Sequence, residues 1–402
     1  MLNEKIIESK YEDACITLDL VEAFSTLVLD RLKAWANSEI FDGGLQVETP
    51  LIEDVNAGAI PYPEDPKKAK IVITMGMLYE IYRDSMVFPI YAEKLKRDTN
   101  TFNDEMWRAF DNVSSKFSGG VPYLDDSELT PIGQALVSLW KRARNESSNN
   151  EDLEMDQERE DILTRSLACR FQMFEFMVAW VFFHELSHLI QCHYKLKSKQ
   201  TAMNEIYELN NQSIGSYASQ AREILADIEG LDLTLRYIHR EGVYNYKSFY
   251  FILCAQTCMF NRFYSGKYDE NYFVVQVTHP HPVARFEFIC HYFNAKMNSE
   301  LPFVLSEESR YQEIMESIYI TTKSSIVSSL FWANRHEHYQ GDELTSFMKV
   351  QQMSQSFIGK LYTDMILRNM QSQLPTILTN HLYHDSNMHN LEAMGLFGNQ
   401  NT

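Results

Sequence analysis

The feature that most constrains this chain is the pentapeptide His184-Glu185-Leu186-Ser187-His188, which closes an apolar run from Met177 to Phe183. On a helix, residues four apart share a face, so the two imidazoles can address one ion. Imidazole nitrogen suits Zn²⁺, and a catalytic zinc needs three protein ligands with a fourth position open for water. Glu185 stands one step round the helix, close enough to take a proton from that water without being a ligand. Such a helix cannot complete the site alone, so the fold must bring a third ligand from elsewhere.

A histidine at the metzincin spacing does not supply it. Gln191 stands where their glycine belongs, and His193 falls one residue early. On a continuing helix His193 would lie about half a turn from His184, which suits a supporting or structural role. The other solution is a carboxylate from a following helix, and Arg222-Glu223-Ile224-Leu225-Ala226-Asp227 provides one. Glu223 follows His188 after 34 intervening residues, room for a connection and an antiparallel return. Asp227, on the same face, could accept the Nδ1–H of His184 or His188 and fix that ring's tautomer. The expected metal set is His184, His188 and Glu223, with Asp227 behind it and Zn²⁺ as the cofactor.

The order HExxH, then ExxAD, then His279-Pro280-His281-Pro282-Val283-Ala284-Arg285 resembles the glutamate-ligand zincins that include HtpX and the CAAX prenyl-protein peptidases. The likeness covers about residues 171–290 and lacks the membrane spans of those relatives. It implies a zinc endopeptidase in which Glu185 is the general base. It also implies that His279, or else His281, stabilises the oxyanion, and that Arg285 braces that loop or meets a substrate carbonyl. HELSH with a nearby histidine and an upstream Ile-Val-Ile run also resembles the soluble Lit-like phage-exclusion peptidases. That likeness implies an intracellular protein substrate and a role in antiviral defence. Such an enzyme needs restraint, so an activating protein, peptide or ligand is expected. The alternative is a metal-binding regulatory or toxin-like sensor that cleaves nothing.

Helical periodicity dominates the 402 residues, with expected helices at 19–38, 75–96, 131–144, 162–195, 216–240, 246–263, 282–297, 307–333 and 345–371. Thr130-Pro131 reads as an N-cap followed by proline at the first helical position. Strands are few. Residues 45–54 are one candidate, and Lys70 to Met75 is the strongest, expected to be an edge strand that receives substrate. The fold expectation is α+β, mainly helical, with a zincin-like core, a small sheet and helical flanks. Three regions are expected: a mixed 1–155 with an acidic loop at 144–161, a catalytic core at 156–300, and a helical 301–402.

Composition narrows the class further. A net charge of -19, from 55 acidic and 36 basic side chains, disfavours phosphate backbones, so no nucleic-acid partner is expected. The run from Phe171 to Ile190 is the best membrane candidate, but Glu175, His184, Glu185 and His188 interrupt it. A cytoplasmic protein without a membrane span is therefore expected, and its six scattered cysteines read as reduced thiols. No phosphate-cradling glycine loop is present. Cys192-His193 and Cys290-His291 lack a nucleophile motif, and Cys254 and Cys258 read as core. His381, His384 and His389 read as part of a polar tail, and Arg335-His336-Glu337-His338 as a helix end.

Overall fold

The computed structural model describes residues 17–97, 124–148, 157–196, 217–264, 279–300, 306–336 and 354–396. Thr17 opens α1 (Leu18–Ala36), its hydroxyl accepting from Leu20 N at 3.3 Å. Val21, Phe24, Val28 and Leu32 then bury one face at helical spacing. The helix runs into a π turn, Asn37–Phe41, and the Asn37 amide pairs with both backbone groups of Leu45, starting the sheet.

Three strands follow: β1 (Leu45–Glu48), β2 (Ala57–Pro61) and β3 (Ala69–Ile73). The order is β1-β3-β2, with β1 parallel and β2 antiparallel to β3. Ala69, Ile71 and Ile73 alternate inward along β3, as a half-buried strand requires. This corrects the expected placement of the strand near 70–75. It lies in the middle of the sheet with both edges hydrogen-bonded, so it has no free edge to offer. Its antiparallel partner β2 was not legible, because Ala-Gly-Ala-Ile-Pro has little strand propensity and proline suits an outer strand.

The helices are α2 (Met75–Arg97), α3 (Pro131–Ser148), α4 (Gln157–Ile190), α5 (Tyr217–Arg240), α6 (Tyr246–Arg262), α7 (Pro282–Glu300), α8 (Glu307–His336) and α9 (Phe357–Asn380). The acidic loop expected at 144–161 is largely helical at both ends, inside α3 and α4, and 149–156 lie outside the described residues. The last expected helix is displaced: α9 runs on through Pro375 to Asn380.

Everything is built round α4. From Ser166 to Ile190 each residue is buried except the half-buried His188. Helices α1, α2, α3, α5 and α6 and strands β2 and β3 all pack on it. The stretch Thr164–Ile190 is long and apolar enough to cross a membrane, yet its most apolar 18-residue window is buried inside the protein. Buried side chains from all three expected regions join one contiguous apolar cluster. On α2, Asp84 is held between Arg262 of α6 and Arg335 of α8, which ties three helices at a buried point.

Two features set how α5 meets α4. Gly230 faces His184 so closely that a Cβ there would lie 3.3 Å from the His184 nitrogen and 3.4 Å from its Cα. A bare backbone at that position lets the two helices touch. Further along, Glu175 of α4 is fully buried, accepting from Thr130 Oγ1 at 2.6 Å and Tyr237 OH at 2.5 Å. Thr130 also caps α3 by accepting from Gly133 N at 2.9 Å, as its sequence context predicts.

Burial pushes the Glu175 carboxyl up to about 7, against the Thr130 and Tyr237 hydrogen bonds that lower it. A carboxyl with a raised native pKa favours folding most while protonated, so its contribution falls as pH rises from about 4.5 to 7. Glu175→Gln mimics the protonated form. Denaturant titrations at pH 5 and pH 8 should show wild type losing up to about 3 kcal/mol more stability than Glu175→Gln across that interval. Equal losses in the two proteins would contradict this account.

Candidate metal centre

Helices α4 and α5 run antiparallel, as three successive contacts show: Gln191 with Leu225, His184 with Gly230, and Glu175 with Tyr237. This pairing brings Glu223 opposite the HExxH turn. Its Oε2 lies 3.4 Å from His184 Nε2 and its Oε1 lies 3.6 Å from His188 Nε2. The two Nε2 atoms are 3.2 Å apart. Ligand atoms of all three residues fall within 4.8 Å of one another, the spacing of a single-ion site.

Behind these atoms stand supporting groups. Asp227 Oδ1 is 2.9 Å from His184 Nδ1, so of the two rings open to it in the sequence, Asp227 backs His184. Arg285 grips the same carboxylate with two bonds, Nε at 2.8 Å and Nη2 at 2.7 Å. The guanidinium also lies 4.4 Å over the Phe260 ring. Arg285 has no exposed surface. The expectation that groups it with the catalytic residues is therefore corrected: it meets Asp227, not a substrate carbonyl. His188 Nδ1 contacts His193 Nδ1 at 2.7 Å.

His279 and His281 separate cleanly. His279 Nε2 lies 3.4 Å from Glu223 Oε2, and its half-exposed ring stacks on Phe263 at 5.8 Å and 13°. His281 is buried, accepts from Val283 N at 3.2 Å to cap α7, and packs on Tyr264. His279 is the one that faces the ligand set.

The electrostatics follow from burial and these contacts. Burial works against a charged His184, but the Asp227 and Glu223 carboxylates outweigh it and hold its pKa up to about 10. Burial also opposes charge on Glu223, yet His279, His188 and His184 keep its carboxyl well below the usual range. Asp227 is likewise lowered, chiefly by Arg285 against its burial. Desolvation pushes Glu185 up to about 7, partly offset by His184, and pulls the His279 pKa down.

The donor set fits a divalent cation of the zinc type. Arg285 neutralises Asp227, which leaves Glu223 as an anion beside two imidazoles whose neutral form is the ligand. His184, His188, Glu223, Asp227 and His279 thus converge, with the general-base candidate Glu185 buried within electrostatic reach of His184 and Glu223 and Arg285 supporting them from behind. Sequence reasoning did not single out Phe263 or Trp180, whose ring lies 5.1 Å from that of His184. Nor did it single out Gly230. All three are ordinary-looking residues of apolar helices. Of the lesser candidates, Cys254 and Cys258 are buried core, and Arg335 pairs with Asp84. His381 lies in a folded segment against Glu229, not in a polar tail.

Compared with known protein families, curated proteins and solved structures, the chain finds no match.

The geometry predicts a single metal ion per chain. Elemental analysis of protein purified without added metal should give about one equivalent, and His188→Ala should abolish it. Asp227→Asn should retain the metal with about 10- to 100-fold weaker affinity, measured against a chelating dye. Wild-type protein carrying under half an equivalent, with no change on His188→Ala, would rule the site out.

Proposed function

We propose that this chain is a zinc-dependent endopeptidase of the glutamate-ligand zincin class, acting on a protein substrate. The observation that carries the reading is the Glu223 carboxylate facing both HExxH imidazoles while Asp227 backs the first. The small sheet packed against the HExxH helix and the antiparallel run of the helix that carries Glu223 support this reading.

His184, His188 and Glu223 would hold the ion, which when bound supplies a Lewis acid for the scissile carbonyl and an acidified water. The chain's own residues supply the rest. Glu185 is buried beside the ligands without joining them, and its carboxyl, raised to about 7, is matched to taking up a proton near neutrality and returning it to the leaving amine. His279, its pKa lowered by partial desolvation and by the nearby Arg285 and His184 charges, stacks on Phe263 and is placed to donate a hydrogen bond to the developing oxyanion. Asp227 and Arg285 hold His184 in register. An extended peptide would pair with the outer side of β2, which packs on α4, since β3 is occupied on both sides.

Glu185 also favours an enzyme over a metal sensor, because a sensor gains nothing from a buried proton acceptor beside its ligands. Glu185→Gln should lower turnover by about 10²- to 10⁴-fold while keeping a full equivalent of zinc. New protein N-termini in cells expressing wild type against Glu185→Gln report the substrates. Identical N-termini in the two samples would refute the peptidase.

A further inference from the structure

The two histidines of the ligand set have different supports. His184 is backed by a carboxylate, whereas His188 is backed by the His193 imidazole, and what holds His193 comes from the far end of the chain. His188 lies in the last turn of α4, where backbone carbonyls lack intrahelical partners. Leu382 N donates to the Ile190 carbonyl at 2.8 Å and closes that end. The chain then turns sharply through Cys192, a non-glycine residue at φ 50°. That conformation costs about 1 kcal/mol or more for an L-residue and persists only where its surroundings impose it.

The surroundings are a strap formed by residues 380–386. Cys192 Sγ donates to the Asn380 carbonyl at 3.2 Å, and Lys195 Nζ to Asn380 Oδ1 at 3.0 Å. Turn and strap share one buried anchor, Glu229 of α5. Its Oε2 accepts from Gln191 Nε2 at 2.6 Å, its Oε1 accepts from Ser386 Oγ at 2.6 Å, and His381 Nε2 lies 3.1 Å from the same carboxylate. The left-handed turn places the His193 ring, 3% exposed, against that of His188, with ring centres 4.9 Å apart.

From this we infer that His193 is a positioning residue for His188, locked in place by the C-terminal strap through Glu229. Accepting the Nδ1–H of His188 at Nδ1 leaves the Nε2 lone pair of His188 facing Glu223, and the strap keeps His193 where it can accept. The inference rests on the metal-site reading above and extends it to a segment about 190 residues from His188 in sequence.

The test uses the full chain and Zn²⁺ alone, with affinity read by competition against a chromophoric chelator. The visible absorption of the Co²⁺-loaded protein reports ligand geometry. His193→Phe keeps the ring and removes the acceptor, and should weaken Zn²⁺ binding about 10- to 100-fold and shift the Co²⁺ bands. His193→Asn restores an acceptor and should recover affinity to within about threefold of wild type. Ser386→Ala loosens the strap and should weaken binding by a smaller factor. It should add nothing in the His193→Phe background, because both act on one path.

His193→Phe with wild-type affinity and an unchanged Co²⁺ spectrum overturns the inference. So does His193→Asn binding as weakly as His193→Phe, which would mark a packing effect. If His193→Phe does not fold, Ser386→Ala decides, and wild-type affinity in that variant overturns the role of the strap. A wild type that takes up no Zn²⁺ overturns the metal site itself and this inference with it, a result distinct from failure of the His193 variants alone.

Discussion

A carboxylate with no exposed surface is tolerated only where its charge is met, and Asp227 is met from two sides, by Arg285 and by His184. That contact joins three helices at one buried point: α4 through His184, α5 through Asp227 and α7 through Arg285. The rest of the site is arranged about it. Because Arg285 cancels Asp227, the charge left to attract a cation resides on Glu223. Because Asp227 holds His184, that ring has one orientation rather than several. A bidentate arginine suits this place, being always charged and planar, and it lies over the Phe260 ring that walls off its outer side.

The parts of the site that repeat at helical spacing were legible in the sequence. His184, His188, Glu223 and Asp227 each sit at positions where a four-residue step has a geometric meaning, and the helices carrying them were expected within a few residues. What was not legible depends on partners distant in sequence. Whether His279 or His281 faces the ligands turns on which one the α7 backbone claims as a cap. The depth of Arg285 is set by Phe260 and Asp227, neither of which announces it. The helix bearing the motif was expected to continue to about Lys195, because Gln191 to Lys195 contains no helix breaker. It stops at Ile190 because Leu382 closes it and Asn380 and Glu229 hold the turn that follows.

The sheet shows the same division. A run such as Lys-Ile-Val-Ile is recognisable as a strand from its β-branched residues, and its alternation is visible along β3. Its rank in the sheet is another matter. An alternating strand reads alike at an edge or in the centre, and the strand that makes β3 central is an Ala-Gly-Ala-Ile-Pro segment with almost no signal of its own. Likewise the stretch of α4 with the composition of a bilayer span is buried among its neighbours, and a helix hydrophobic all round belongs in a core.

Gly230 carries a consequence for the dimensions of the centre. At the level of His184 the two helices come so close that even a Cβ on Gly230 would crowd the His184 backbone. A side chain at position 230 would press on the His184 backbone, so the close approach of the two helices at that level depends on glycine. The register in which His184 is presented to the neighbouring helix thus leans on the absence of a methyl group at one position.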